Sequence, residues 1–180
     1  MENIAVQSVG FLAVAAFLLS YQIKSNRALF FCQLVGSGLF CLQFFLLGAA
    51  SGCVSLAVNM LRAALLLQYD HWEWVRRRAA AALFCGTYGV IAILTWEGPV
   101  SLLAFAASAV STLGYWRHNA RTIRLSNLLC ASPCWLLYDI FVGSWGGVIN
   151  ESLTIASILI SVRRFGWRAL GDPDSEFQRS

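Results

Sequence analysis

The chain has 180 residues, 58% of them hydrophobic and 12% charged, with 13 Lys or Arg against 9 Asp or Glu and a net charge of +4. Soluble domains carry roughly 25% charged residues, so an ordinary soluble domain is excluded. The charges gather in short clusters between long apolar runs, so the net charge says little about nucleic acid and much about topology. The expected fold class is an all-α integral membrane protein.

The leader MENIAVQS contains Glu2 and no basic residue, and Lys24 and Arg27 follow the first apolar run. A secretory signal begins with a basic region, so this charge order predicts an uncleaved first helix with its N-terminus outside. A span needs about 17–25 residues. Seven candidates follow: Ile4–Ile23, Ala28–Leu47, Gly52–Gln68, Ala79–Trp96, Val100–Trp116, Ile123–Val142 and Val148–Val162, the last open to extension. Every second connection is basic, holding Lys24 and Arg27, then Arg76, Arg77 and Arg78, then Arg117, Arg121 and Arg124, then Arg163, Arg164 and Arg168. The others, Gly48–Ser51, Glu97–Pro99 and the tight glycine turn Gly143–Gly147, hold no Lys or Arg. The positive-inside rule then puts the N-terminus outside and the C-terminus in the cytoplasm. Tryptophans near span ends (Trp72, Trp74, Trp96, Trp116, Trp145, Trp167) predict an interfacial belt. The polar tail from Gly171 is expected to be disordered.

A shift of 95 residues lays Gly48 on Gly143, Gly52 on Gly147, Leu34 on Leu129, Ser37 on Ser132 and Leu42 on Leu137. It also lays Ser55, Asn59 and Arg62 on Asn150, Thr154 and Ser157, Gln43 on Tyr138, and Phe40 on Trp135. The repeat unit is three helices, and one extra helix, Ala79–Trp96, restores the orientation of the second copy. This predicts two parallel three-helix repeats joined by a linker helix (3+1+3), related by an axis along the membrane normal. The expected division is 1–69 for the first repeat, 70–97 for the basic loop and linker helix, 98–165 for the second repeat and 166–180 for a cytoplasmic tail.

Polar groups inside the spans are the candidate site. Asn150, Thr154, Ser157 and Ser161 share a helix face and are expected to face a protein interior or a water-filled path. Ser157 and Ser161 can alternatively bond to their own helix backbone. Asn59 requires partners in hydrocarbon, as helix glue or as a solute contact. Trp135 can stack on a sugar ring or simply pack. Gln33 and Gln43 are candidate glue, and Glu151 lies one turn inside the outer surface. Arg62 is expected to pair with Asp139, since a charge near mid-membrane costs about 2.5–3.5 kcal/mol and rarely lacks a partner. Span six starts inside, so Asp139 leans inward toward Arg62, whereas Glu151 leans outward.

Chemistry is scarce. No span holds a histidine, HExxH and P-loop patterns are absent, and the lysine Lys24 lies in a loop, which excludes a retinal Schiff base. Gly36-Ser37-Gly38 reads as small-residue packing. The cysteines Cys32, Cys41, Cys53, Cys85, Cys130 and Cys134 form no CxxC and read as small buried hydrophobes. No enzyme, catalytic residue, cofactor or metal is expected.

The layout, the Asn in span three and the polar span seven resemble the SWEET sugar transporters and the wider PQ-loop class. YQIKS (Tyr21–Ser25), LLGAASG with Asn59 and Arg62, SPCWLLYD (Ser132–Asp139) and GSWGGVINE (Gly143–Glu151) resemble the YgjV-type bacterial inner-membrane proteins more closely still. SWEET-type bundles carry prolines in the first two helices of each repeat; here Pro133 matches, Gly38 takes the equivalent place in span two, and the PQ dipeptide is absent. The resemblance implies a bacterial inner-membrane location and a SWEET-like carrier of a small polar solute, with sugars among the candidates and the path between the repeats. The expected solute contacts are Asn59, Arg62, Trp135, Tyr138, Asp139, Asn150 and Thr154. A membrane protein that binds a partner or lipid without transporting is the alternative. The expected partners are the solute and the lipid bilayer, no nucleic acid, with a homo-oligomer open.

Overall fold

The computed structural model describes residues 2–22, 26–66, 71–117 and 120–169. Among these there is no strand. The helices are α1 (Glu2–Gln22), α2 (Asn26–Leu46), α3 (Ala50–Leu66), α4 (Glu73–Arg76), α5 (Arg78–Leu94), α6 (Ser101–Trp116), α7 (Ala120–Ser126), α8 (Ser132–Val142) and α9 (Trp145–Ala169), with a π-helical segment Asn127–Ala131 fusing α7 to α8. The tail from Gly171, Lys24 and His118 lie outside the described residues, as do the side chains of Cys32, Gln33, Ser161 and Trp167.

Each apolar run of the sequence becomes one long helix, because a backbone with no water to bond must satisfy itself locally. α9 outruns its predicted ends on both sides, and α4 is a short turn inside the expected basic loop. By length and composition one continuous stretch among the described residues, Thr122–Val142, is long and apolar enough to cross a membrane on its own. The other apolar helical stretches run 10–17 residues. α3, with 17 residues, is about 25 Å long at 1.5 Å per residue, the lower end of what a bilayer core requires.

The long helices close a ring. α1 packs on α2 and α9, α2 on α3, α3 on α6, α6 on the α7–α8 helix, and α8 on α9, while α5 lies against α3 and α6. The interior of this ring mixes apolar clusters, such as Ala13, Val14 and Phe40, with polar side chains, while large apolar side chains face outward. Gln43, Ser108 and Thr112 are fully buried, whereas Leu94 is 78% and Phe45 71% exposed. An apolar exterior with the polar groups held inside is what a lipid solvent selects. Trp72, Trp74, Trp96 and Trp145 are exposed, but Trp116 is half-buried and donates its indole N–H to the Val75 carbonyl at 2.8 Å.

Two details depart from the sequence expectation. The glycine turn is shorter than predicted: Gly143 takes a left-handed φ of 74° and α9 begins at Trp145. The reason is Ser144, whose Oγ accepts from the Gly147 N–H at 3.2 Å and caps the helix three residues early. The second is the π segment. Ser132 N–H reaches back to the Asn127 carbonyl, one residue further than an α-helix allows, just before Pro133, which has no N–H to continue the regular ladder. The thiols Cys41, Cys53, Cys85, Cys130 and Cys134 are free and half-buried rather than fully buried.

Candidate functional site

α1, α3, α6 and α9 all begin at one end of the ring, and polar side chains from distant parts of the chain cap α3 and α9 there. Glu97, just ahead of α6, accepts from the Ala50 N–H at 2.6 Å and from the Ser51 hydroxyl at 2.9 Å. Gln7 of α1 accepts from the Trp145 N–H at 3.1 Å and donates to the Gly143 carbonyl at 2.7 Å. Each answers a free N–H group of a helix start. Gln43 extends this cluster, accepting from Ser144 Oγ at 3.0 Å and donating to Gln7 at 3.3 Å.

Tyr138 ties α8 to α3. Its oxygen accepts from the Gly52 N–H at 2.7 Å and lies 2.9 Å from Ser51 Oγ, whose own proton goes to Glu97. A run of hydrogen bonds, Gly52 to Tyr138 to Ser51 to Glu97, therefore crosses the ring. Tyr138→Phe leaves the buried Gly52 N–H without its acceptor. It is expected to cost about 1–3 kcal/mol, read as an earlier midpoint in a detergent unfolding titration; an unchanged midpoint would show that the bond contributes nothing.

Beside this network lies a cavity of about 80 Å³, lined by Phe17 of α1, Phe40 and Phe44 of α2, Leu56 of α3, Trp135 and Asp139 of α8, and Gly147, Asn150 and Glu151 of α9. Trp135 stacks on Phe44 with ring centroids 6.1 Å apart, and Tyr138 meets both rings edge-on. The Asp139 carboxyl packs on Gly147, where any side chain would displace it. Asp139 is 3% exposed and its Oδ1 has no hydrogen-bond partner.

Of the residues singled out in the sequence, Trp135, Asp139 and Asn150 thus share one cavity, with Tyr138 at its edge. Thr154 is half-buried on α9 and does not line it. Asn59 faces α5 instead, accepting from the Tyr88 hydroxyl at 2.7 Å. The polar stripe of α9 does not turn inward along its length, since Ser157 is exposed.

The expected Arg62–Asp139 ion pair is not formed. Arg62 is buried against α6, where Nη1 donates to Ser111 Oγ at 3.0 Å, to Thr112 Oγ1, and to the Ser108 carbonyl at 3.4 Å. Its guanidinium carbon lies 5.0 Å from the Tyr115 ring centroid. Ser111 and Thr112 both hand their protons to the Ser108 carbonyl, at 3.0 and 2.7 Å, so their lone pairs are free for the cation. Hydroxyl dipoles and an aromatic face replace the carboxylate. Neither an acid nor the cytoplasmic headgroups take the Arg62 side chain; the hydroxyls of Ser101–Trp116 do.

Glu151 shares the cavity with Asp139 and accepts from Asn150 Nδ2 at 3.2 Å. Its signal was legible, as a second acid inside an apolar span. Gln7 and Glu97 carried no such signal, because their partners lie 138 and 47 residues away.

A family model described as a bacterial inner membrane protein, Imp-YgjV, matches residues 4–169. The inner membrane protein YgjV of Escherichia coli (strain K12) is 30% identical over 165 residues, covering 90% of this chain and 84% of that protein. No solved structure matches. The match runs from α1 through the end of α9, so it takes in the whole ring, the cavity walls and both glycine turns. An apolar exterior, polar groups held inside the bundle and a family match of this extent agree, and the chain belongs to the YgjV family of bacterial inner membrane proteins.

Proposed function

We propose that the protein is a carrier of a small polar solute and not an enzyme, with the cavity as the solute site and the two three-helix units as the moving halves. One observation carries this reading. The cavity is walled on one side by α1, α2 and α3 and on the other by α8 and α9, so it lies at the junction of the two proposed repeats.

The repeat draws support from the glycine-turn end. Gly48 and Gly143, 95 residues apart, both take a left-handed φ, 72° and 74°. The same shift lays Ala50 on Trp145, and each of these N–H groups is capped by a side chain from outside its own unit, Glu97 at the end of the linker segment and Gln7 of the first unit. In this reading α5 joins the units, the glycine turns face outward and the basic loops face the cytoplasm. Trp135, Asp139 and Asn150 contact the solute, and Tyr138 holds their helix in place. Asn59 and Arg62 secure the linker helix and α6 against α3.

Flux into proteoliposomes, across a panel of sugars, amino acids, amines and ions, tests it. Wild-type protein is expected to move one class of solute, and Asp139→Asn and Trp135→Ala to cut that flux about tenfold or more while eluting as folded protein. Absence of flux across the whole panel would overturn the carrier and favour a protein that binds a partner or lipid.

A further inference from the structure

We propose that the cavity takes a small primary amine in its ammonium form. The proposal rests on the carrier reading for its site and names the solute class that this site recognises.

The cavity presents acceptors and ring faces. Two of its nine lining residues are carboxylates, Asp139 and Glu151, and none is Lys, Arg or His. Arg62, the buried cation of α3, is committed to Ser111, Thr112 and Ser108 on α6. The Asn150 amide, the one N–H donor among the lining side chains other than the Trp135 indole, is directed to Glu151. Carboxylates with no cationic partner in an apolar interior are costly, and Asp139 adds a specific vacancy in its bonding: Oδ1 is buried with no donor. A ligand that brings N–H donors and positive charge supplies what Asp139 lacks.

The rest of the wall selects among cations. Phe17, Phe40, Phe44 and Trp135 contribute aromatic surface, with Phe17 and Phe40 tilted at 5.9 Å and Phe44 and Trp135 stacked at 6.1 Å. Ring faces are electron-rich and attract a desolvated ammonium. They offer no oxygen to an inorganic cation, which requires a shell of oxygen ligands. A sugar brings acceptors as well as donors and would leave its own acceptors unpaired against carboxylates. An anion is repelled outright. The volume, about 80 Å³, holds several waters, so the occupant is an amine of a few heavy atoms or the amino end of a longer one.

Ethylammonium chloride titrated into purified full-length protein in detergent, followed by calorimetry at constant ionic strength, decides the matter. Sodium chloride and glucose are the comparison ligands. Saturable binding is expected for ethylammonium and for neither of the others. Asp139→Asn and Glu151→Gln should each weaken it about tenfold, the worth of one hydrogen bond to a charged group, and Trp135→Leu should weaken it as well. Should Asp139→Asn fail to fold, Glu151→Gln carries the test alone. No saturable binding of ethylammonium, equal competition by sodium, or binding unchanged in the folded carboxylate variants would overturn the amine site. Ethylammonium binding without flux would overturn the carrier and leave the site standing. Glucose flux without ethylammonium binding would do the reverse.

Discussion

Gly146→Ala is expected to lower the stability of the bundle by about 1–3 kcal/mol, the usual cost of overpacking, and Gly146→Leu to abolish the folded form. A Cβ at position 146 would lie 2.7 Å from the carbonyl carbon of Gly10, 2.8 Å from its Cα and 2.9 Å from its oxygen. These are backbone atoms, so no change of rotamer relieves the overlap. α1 and α9 must separate, and separation pulls Gln7 away from Gly143 and Trp145 and Gln43 away from Ser144. Small residues that let helix backbones touch are the usual adhesive inside a bilayer, where lipid is as apolar as any side chain. Gly86 is the control. A Cβ there meets nothing within 4 Å, so Gly86→Ala should stabilise slightly, by about 0.5–1 kcal/mol, through helix propensity alone. Unfolding by dodecyl sulfate in mixed micelles reads both. Gly146→Ala behaving like Gly86→Ala would refute the close approach of α1 and α9.

Thr112→Val should be the other severe substitution, at about 1.5–3 kcal/mol, the cost of removing one hydrogen bond from a buried charge. Thr112 is fully buried and its Oγ1 receives Arg62 Nη1. Valine keeps the shape and removes the acceptor. In an Arg62→Leu background no cation remains to be served, and the same Thr112→Val change should cost far less; this non-additivity is the signature of a direct contact. A cycle between Arg62 and Asp139 should behave differently. The two share no bonding partner: Arg62 is held by α6, and Asp139 packs on Gly147. Their effects should add to within about 0.3–0.5 kcal/mol. Coupling of Arg62 to Asp139 rather than to Thr112, measured on folded protein in detergent, would restore the ion pair expected from sequence.

The helices, though not the ends of α9, are legible in the sequence because span formation is local. An apolar run in hydrocarbon has no alternative to the helix, and glycine is the residue that most readily takes the left-handed turn between two of them, as at Gly48 and Gly143. The inward burial of Asp139 was legible for the same reason, since a charge cannot face lipid. The partners were not legible. A span is apolar on most of its circumference, so its sequence does not announce which face meets which neighbour. Arg62 could reach an acid or a set of hydroxyls, and only the placement of α6 beside α3 chose Ser111 and Thr112. The caps from Gln7 and Glu97 depend on α1 and the loop before α6 meeting distant helix starts, and the π turn before Pro133 on how the Thr122–Val142 helix settles against α6 and α9. Whether Glu151 is wet at the surface or shares a cavity with Asp139 was likewise decided by packing: α8 and α9 press together at Gly147, where only hydrogen leaves room for a carboxylate.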